Sequence, residues 1–268
     1  MLLLCLALVV FYHLQGNYKD LFVSDQFYYF EVMEEKYARM LENVDKRYYT
    51  FVIFLKVAHS LVGDPYLVYL FYVVFNGLLL MFACRNFRVI HIVFFSLSFL
   101  YLSHGLLRDQ LLLAFAALLS RSWKILIEIA LISLRAQLIL LVTYENKLLN
   151  YLMPTMICAY IVWWQNIHIS DTDLVDALKA VYSLPGIGFL TTEKEFPLIF
   201  ALMRMVLGVT VFMYWVYFLL THRGSFATGY KLLLLLLSYS AFGIPVDIRV
   251  FVIATAVVIG YSERRRLD

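Results

Sequence analysis

Charged residues are scarce in this sequence: Asp, Glu, Lys and Arg make up only 15% of its 268 residues, whereas 63% are hydrophobic. A soluble globular domain is roughly 45–50% apolar and about 25% charged. The shortage of charge therefore excludes an ordinary soluble domain and predicts a multi-pass membrane protein. The useful measure of length is then the number of membrane spans, each of about 20 residues.

Cysteines are also few, and the excess of positive charge is small. Cys5, Cys84 and Cys158 are scattered singly in apolar surroundings, which excludes a disulfide framework and a cysteine-rich metal site. We expect them to serve as small core residues. The formal net charge of +3 is spread over short loops, so no nucleic-acid partner is expected.

Several catalytic motifs are missing. The chain has no H-E-x-x-H zinc-protease motif, no G-x-S-x-G serine-hydrolase motif, and no Walker or Rossmann glycine pattern. These absences weigh against metalloprotease, serine-hydrolase and nucleotide-dependent functions, and no metal or other cofactor is expected. The energy for any reaction must then come from an activated substrate.

What the sequence has instead is a series of apolar runs. They cover Leu2–Leu14, Tyr66–Ala83, Val89–Ser103, Leu111–Leu119, Ile125–Thr143, Leu148–Trp164, Phe196–Leu220, Leu232–Phe242 and Val250–Tyr261. Their lengths predict a single all-α transmembrane domain, 1–268, with roughly nine transmembrane helices. The N-terminal run lacks a preceding basic segment and a small-residue cleavage site, so we interpret it as the first span rather than a signal peptide.

Basic residues in the short connections predict the orientation. They fall in "CRNFR", "SRSWK", "THRGSFATGYK" and the tail "SERRRLD", and the positive-inside rule places all of these in the cytoplasm. The outer side then receives "SHGLLRDQ", the loop 165–195 and "FGIPVDIR". We expect the loop 165–195 to form a short surface helix that acts as a lid or recognises the acceptor.

This layout requires a break in one of the runs. The stretch between Lys124, inside, and Gln165, outside, must cross the membrane an odd number of times, yet it contains two apolar runs. We therefore predict two half-length helices in the first run, Ile125–Ser133 and Ala136–Tyr144, with Arg135 near the turn. A broken or re-entrant pair is tolerated where protein or a watery cavity covers its backbone, and it is a recurrent ligand site.

The region 16–62 is irregular and is assigned to the outer face. Its first part, "SDQFYYFEVMEEKYARMLENVDKRYY", has the pattern of an amphipathic helix. The stretch "TFVIFLKVAHSLV" follows and is too short for a comfortable span, so it is placed on or partly in the membrane surface. An alternative layout makes Tyr48–Val62 a true span and puts the N-terminus outside.

Arginines within or beside apolar segments carry most of the functional signal. Arg108, Arg135, Arg204 and Arg249 all fall in the outer half of the predicted layout. A charge buried in a membrane is costly and indicates a functional site, and a planar guanidinium suits the oxygens of phosphate or carboxylate. The sequence therefore predicts a site for a lipid-linked diphosphate or an anionic glycan. The alternative for each arginine is a structural role, either snorkelling or ion-paired.

Other candidate residues lie on the outer face. Asp25 is a candidate general base, or alternatively a helix N-cap, and the nearby Tyr28 offers an aromatic platform for a sugar. His104 is a second candidate base, with a structural interfacial histidine as the alternative. Lys56 is expected to join the same cavity.

Two acidic residues are expected to have only structural roles. Asp109 lies in the first turn of a predicted helix, where the helix dipole favours a carboxylate. Glu128 is expected to pair with Lys124, one turn earlier on the same helix.

The helix opening "GLLRDQLLLAFAALLS" resembles the R-Q-x-x-A helix of Wzy/EpsG-type polysaccharide polymerases, and "SDQFYYFEVMEEKYARML" and "IPVDIRVFV" add to the likeness. This resemblance implies a GT-C-like glycosyltransferase fold. It matches Arg108 to the family's helix-opening arginine, Arg249 to a late-span arginine and Asp25 to the first-loop acid. The chain departs from the family at Arg135, where the family's short hairpin has a histidine, so the resemblance implies no imidazole role at that position.

The resulting hypothesis is a glycosyltransferase of the bacterial inner membrane. It would polymerise undecaprenyl-diphosphate-linked oligosaccharide repeat units at the periplasmic face, for O-antigen, capsule or exopolysaccharide. The expected partners are the lipid-linked oligosaccharide, membrane lipids and a chain-length regulator. Two alternatives stay open: a transporter or flippase for a lipid-linked anionic substrate, and a non-catalytic membrane subunit whose arginines pair with acids of a partner.

Overall fold

A computed structural model of the chain describes residues 1–14, 33, 49–103, 108–121, 123–142, 146–164, 198–221, 225–241 and 248–267. Ten α-helices and two 3-10 segments occur in these ranges, which contain no strand. The prediction of an all-α chain is therefore confirmed for the part that the structure describes.

The helices follow the apolar runs closely. The α-helices are α1 Leu2–Leu14, α2 Tyr49–Val62, α3 Pro65–Ala83, α4 Val89–Leu102, α5 Arg108–Leu118, α6 Lys124–Leu134, α7 Leu149–Trp164, α8 Leu198–Thr221, α9 Ser225–Ala241 and α10 Ile248–Leu267. The 3-10 segments are Cys84–Asn86 and Ala136–Leu141. Every predicted run overlaps one of these α-helices, and α1 has the predicted bounds.

Helix length bears on the predicted number of spans. By length and composition, Pro65–Asn86 is the one stretch in the described ranges that could cross a membrane. Shorter apolar helices cover Leu2–Phe11, Thr50–Val62, Val89–Leu102, Met205–Leu220 and Phe226–Leu236. Because the core helix of a soluble protein would meet the same criterion, the nine transmembrane helices stay a prediction.

Local sequence signals build the junction between α2 and α3. Gly63 follows α2 with a φ of +79°, a left-handed conformation that suits glycine. Asp64 then caps α3, since its Oδ1 accepts hydrogen bonds from the N–H groups of Tyr66 at 2.7 Å and Leu67 at 3.3 Å. Pro65 fills the first helical position, where no N–H donor is needed. This junction lets α2 pack against α3.

The chain divides into two compact units, Met1–Arg135 (unit 1) and Ala136–Asp268 (unit 2). In unit 1, α5 is the central helix, because it packs against α3, α4 and α6 and most of its residues are buried. The helix α1 packs against α3 and α4. Gly77 of α3 permits a close approach, since a Cβ there would lie 2.7 Å from Leu6 Cδ1. The single domain expected from the sequence stays a prediction.

The predicted joints of unit 1 fall into two groups, one near each end of the unit. At one end, Arg121 Nη2 donates to the carbonyl oxygens of Phe82 at 2.7 Å and Ala83 at 3.2 Å, so "CRNFR" and "SRSWK" lie together. Near the other end, Tyr69 OH donates to Ser103 O at 2.8 Å, beside "SHGLLRDQ". The joints are therefore grouped as predicted, and the membrane side on which each lies stays a prediction.

The predicted helix break at Arg135 is confirmed. The helix α6 ends at Leu134, and Arg135 is extended, with a φ of −151° and a ψ of 93°. The next segment, Ala136–Leu141, is a 3-10 helix rather than the predicted α-helix. Six residues give too few hydrogen bonds to sustain an α-helix, and short runs commonly take the 3-10 form. Tyr144, the predicted end, lies outside the described residues.

In unit 2, α7 and α9 start at the same end and run parallel. Thr155 Oγ1 lies 2.7 Å from Tyr230 OH, and Cys158 Sγ lies 3.7 Å from Leu234 O one turn further along. The helix α9 also packs against α8 and the 3-10 segment Ala136–Leu141. These contacts make α9 the helix that joins the segments of the unit.

Lys231 differs from its predicted environment. The sequence assigns it to a basic surface joint, but it lies within α9 and is only 3% exposed. Its Nζ donates to Val142 O and to Asn150 Oδ1, both at 2.7 Å. These contacts place Val142, directly after the 3-10 segment, and Asn150, in the first turn of α7, beside α9.

Candidate functional site

Arg108, Asp109 and Arg135 lie together in unit 1, and we refer to them as the Arg–Asp–Arg centre. Arg108 and Asp109 open α5, and Arg135 directly follows the last residue of α6. Because α5 packs against α6, the start of one helix meets the end of the other. Two arginines predicted from different apolar runs are thus brought to one place.

Arg108 holds the end of α6. Its Nη1 donates a hydrogen bond to Leu134 O at 3.2 Å, and Leu134 is the last residue of that helix. The last carbonyl groups of a helix have no partner within it and carry partial negative charge, so they attract a cation. This contact explains why a positive residue opens α5, although the dipole of α5 itself disfavours a cation there.

Asp109 is a counter-ion of Arg135. Arg135 Nη2 lies 3.3 Å from Asp109 Oδ1, and the two side chains are only 11% and 3% exposed. A buried guanidinium keeps its charge, and removing its partner would leave that charge uncompensated at a large energetic cost. The sequence predicted only a helix-dipole role for Asp109; the structure adds an ion pair with another helix.

Neighbouring helices fix the start of α5 and, with it, the centre. Gln110 Nε2 donates to Leu102 O at the end of α4, at 2.8 Å. Tyr72 OH, from α3, accepts a hydrogen bond from Leu111 N at 3.3 Å. Both side chains are buried. Because these bonds satisfy helix ends away from water, they hold the centre in one arrangement before any ligand arrives.

Two of the three members of the centre are arginines, and arginine is a common ligand of anions. A guanidinium offers several N–H donors in one plane, which matches the spacing of phosphate oxygens. With little water present, such an interaction is stronger than at a solvated surface. An oxygen-rich anion such as phosphate or diphosphate is therefore the ligand class that this arrangement fits.

The other two predicted arginines belong to unit 2. Arg249 lies in the first turn of α10 and is half-buried. Arg204 lies in α8, but its side chain is outside the described residues. The convergence of all four arginines therefore stays a prediction, and the structure brings together the two of unit 1.

Lys56 lies on α2 of unit 1 and is half-buried. Its Nζ donates to the carbonyl oxygen of the fully buried Met33 at 2.5 Å. This contact gives Lys56 a structural partner, and its predicted part in ligand binding stays a prediction. Asp25, Tyr28 and His104 lie outside the described residues, so their predicted roles also stay predictions.

Sequence reasoning missed Asp109 as a member of the site. A signal was present, because an acid beside an apolar run that also neighbours buried arginines is a natural counter-ion. Its partner Arg135 is distant in the sequence, however, and the pairing follows from the packing of α5 on α6. Apolar periodicity shows that helices form but does not show which ends meet.

The described residues offer little for metal or redox chemistry. No group of His, Cys, Asp and Glu in the described ranges is arranged to hold a metal ion. Cys5, Cys84 and Cys158 are buried and form no disulfide there, as predicted for small core residues. The expectation that no cofactor binds stays a prediction.

No protein-family model matches the chain, and no curated protein or solved structure is significantly similar to it. The resemblance to Wzy/EpsG-type polymerases therefore stays a prediction from the motifs quoted above.

Proposed function

We propose that the chain is a multi-pass protein of the bacterial inner membrane. The helix α3 exposes more than half of the surface of Leu67, Phe71, Leu78 and Phe82, while its other face buries the polar Asn76. A soluble protein rarely exposes a continuous apolar stripe of this kind. A lipid environment tolerates such an apolar exterior, while the polar groups pair with one another inside the protein.

The short helices of unit 1 support the same proposal. The helices α4 and α5 have 14 and 11 residues, which is about 21 and 17 Å at about 1.5 Å per residue. A bilayer core is about 30 Å thick, so the ends of such helices would lie within it. Backbone groups at that depth must bond within the protein, as Leu102 O and Leu134 O do with Gln110 and Arg108.

Within that membrane, we infer that the centre serves glycosyl transfer from a lipid diphosphate. The reaction is the polymerisation of undecaprenyl-diphosphate-linked oligosaccharide repeat units at the periplasmic face. The observation that carries this proposal is the contact between α5 and α6, where Arg135 pairs with Asp109 and Arg108 bonds to Leu134 O, the carbonyl directly before Arg135. A diphosphate leaving group gains negative charge as its bond to the sugar breaks, and fixed positive charge in a water-poor site stabilises it.

In the proposed reaction one bond forms and one bond breaks, and no cofactor is needed. A hydroxyl group of the acceptor sugar attacks the anomeric carbon of the donor, and the bond from that carbon to the diphosphate oxygen breaks. The hydroxyl proton passes to a general base, for which Asp25 and His104 are the candidates from the sequence. Arg108 and Arg135 hold the diphosphate and stabilise the charge that it takes away.

The remaining predicted features belong to the same proposal. They are the GT-C-like arrangement of roughly nine transmembrane helices, further binding by Arg204, Arg249, Lys56 and Tyr28, and a chain-length regulator as a partner.

The length distribution of surface polysaccharide tests the proposal in cells that depend on this chain. The double variant Asp109→Asn/Arg135→Gln replaces both charged side chains with neutral amides, so no buried charge is left uncompensated and the fold is expected to persist. If Arg135 binds the substrate, the variant loses long chains and accumulates the single-repeat product. Arg85→Ala is the matched control, because it removes an exposed arginine of unit 1, and it should leave chain length unchanged.

One observation favours a second function, that of a non-catalytic membrane subunit. Arg108 and Arg135 both have partners within unit 1, Leu134 O and Asp109, and a structural pair needs nothing more. A structural pair tolerates simultaneous neutralisation of both members. Cells whose membranes contain the double variant at the wild-type level are compared with wild-type cells. Polysaccharide of the same length in both would contradict the glycosyltransferase function and favour the non-catalytic subunit.

A further inference from the structure

We propose that Asp109 is an exchangeable counter-ion: its carboxylate occupies Arg135 in the ligand-free protein and gives way to a phosphate group of the ligand. This inference rests on the proposed function, because it concerns how the same centre admits a diphosphate. The shared chemistry is the diphosphate group, whether it is free or attached to a polyprenyl lipid.

The contact between the two side chains has the geometry of a pair that can separate. Arg135 Nη2 and Asp109 Oδ1 are 3.3 Å apart, which is longer than the roughly 2.7–2.9 Å of the strongest charged hydrogen bonds. Asp109 Oδ1 is buried and accepts no hydrogen bond within the described part of the chain. The attraction at this oxygen is therefore that of the two charges, with no directional bond to break on exchange.

The position of Asp109 stabilises its carboxylate after it leaves Arg135. Asp109 lies in the first turn of α5, where the positive end of the helix dipole favours an anion. Arg108, its neighbour in the sequence, is kept in the centre by its hydrogen bond to Leu134 O. A carboxylate that turns away from Arg135 thus stays beside the positive end of its own helix.

An exchange of this kind selects for phosphorylated ligands. To displace Asp109, a ligand must interact with Arg135 more strongly than the Asp109 carboxylate does. A carboxylate ligand replaces one carboxylate with another, whereas a phosphate group brings up to two negative charges and three acceptor oxygens. Before a ligand binds, Asp109 compensates the buried charge of Arg135. Because the ligand must displace this carboxylate, its affinity is lower than it would be without Asp109.

The affinity of full-length protein in lipid nanodiscs for farnesyl diphosphate, and separately for inorganic diphosphate, tests the exchange. Asp109→Asn is expected to bind farnesyl diphosphate about tenfold more tightly than the wild type, because a competing charged partner of Arg135 is gone. Asp109→Asn/Arg135→Gln is expected to lose this gain. Glu128→Gln is the matched control: it removes the same charge from unit 1, at a carboxylate 3.6 Å from Lys124 Nζ, and should leave the affinity unchanged.

Asp109→Ser is a second variant, needed if Asp109→Asn does not fold, since its smaller side chain leaves room for water or chloride beside Arg135. Tighter binding by either folded variant supports the exchange, whereas unchanged or weaker binding overturns it. Failure of both variants to fold also overturns it, because Asp109 is then a fixed structural partner.

The wild-type measurement separates this inference from the proposed function. Wild-type protein that binds neither probe contradicts the proposed function, and the exchange falls with it. Wild-type protein that binds farnesyl diphosphate, with no gain in either Asp109 variant, overturns the exchange alone. A gain for both probes supports exchange with the diphosphate group itself, and a gain for farnesyl diphosphate alone supports exchange that requires the lipid.

Discussion

Each unit buries a cation, and the two cations have different partners. In unit 1, Arg135 faces the carboxylate of Asp109 at 3.3 Å. In unit 2, Lys231 donates hydrogen bonds of 2.7 Å to Val142 O and Asn150 Oδ1. The cation of unit 1 faces a carboxylate, and the cation of unit 2 donates to a backbone carbonyl oxygen and to an amide oxygen.

The difference indicates what each cation does. The short bonds of Lys231 join three segments, namely α9, α7 and the end of the 3-10 segment, so this lysine fixes the packing of unit 2. The ion pair of Arg135 is longer, and Arg108 contacts the residue directly before Arg135, so two cations belong to the same contact between α5 and α6. A buried cation therefore indicates an anion site when a second cation lies beside it, and a structural tie when it joins backbone and amide oxygens.

The largest effect is expected at the ion pair. Asp109→Ala should lower the free energy of unfolding by about 3–5 kcal/mol, because Arg135 is left buried with its charge uncompensated. Denaturant titration in detergent, followed by circular dichroism, measures this loss. The double variant Asp109→Asn/Arg135→Gln is the control and should stay within about 1 kcal/mol of the wild type. A single variant no less stable than the double variant would rule out a compensating pair.

A smaller loss is expected at the lysine of unit 2. Lys231→Met should cost about 1.5–3 kcal/mol, since it removes charged hydrogen bonds and leaves buried oxygens without this donor. The same titration measures it, with Lys147→Met as control because Lys147 is exposed in the same unit. Equal stability of the two variants would show that Lys231 does not tie the segments together.

The next smaller loss of stability is expected at a neutral hydrogen bond in unit 2. Trp215 Nε1 of α8 donates to Thr255 Oγ1 of α10 at 2.8 Å. Thr255→Val keeps the shape but removes this acceptor, and should cost about 1 kcal/mol with a change in tryptophan fluorescence. The control is Thr210→Val on α8, whose hydroxyl bonds only within its own helix, to Val206 O. An identical effect of both variants would mean that the bond between helices adds nothing.

The smallest effect is expected at the partly exposed pair of α6. Lys124 Nζ and Glu128 Oε1 are 3.6 Å apart, which confirms the pairing predicted from their spacing. Glu128→Gln should change the free energy of unfolding by less than about 0.5 kcal/mol, because solvent screens such pairs. A loss comparable to that of Asp109→Ala would remove the distinction between buried and exposed pairs.

Much of the helical framework could be predicted from the sequence. Long apolar runs separated by polar joints locate the helices, and the bounds of α1 are those predicted, whereas α9 begins at Ser225, well before its predicted run, and α10 ends at Leu267, well after its own. The break at Arg135 followed from counting crossings between basic joints, and the structure places an extended residue there. Both inferences use local composition and a rule about charge, which a single sequence displays in full.

The partners of the buried charges could not be predicted in the same way. The helix α5 starts at Arg108, with Asp109 in its first turn as predicted, but the sequence did not show that this charged turn contacts the end of α6. Lys231 was taken for a surface residue, since its neighbours Val142 and Asn150 come close only when α7 and α9 pack. Such contacts depend on tertiary arrangement, which the spacing of apolar residues does not encode.

A structure of the full-length protein with farnesyl diphosphate bound would show directly whether the Arg–Asp–Arg centre binds the diphosphate. We expect phosphate oxygens within about 3 Å of the guanidinium nitrogens of Arg108 and Arg135, and the Asp109 carboxylate turned away from Arg135. A diphosphate bound elsewhere, with Asp109 still in contact with Arg135, would contradict this expectation.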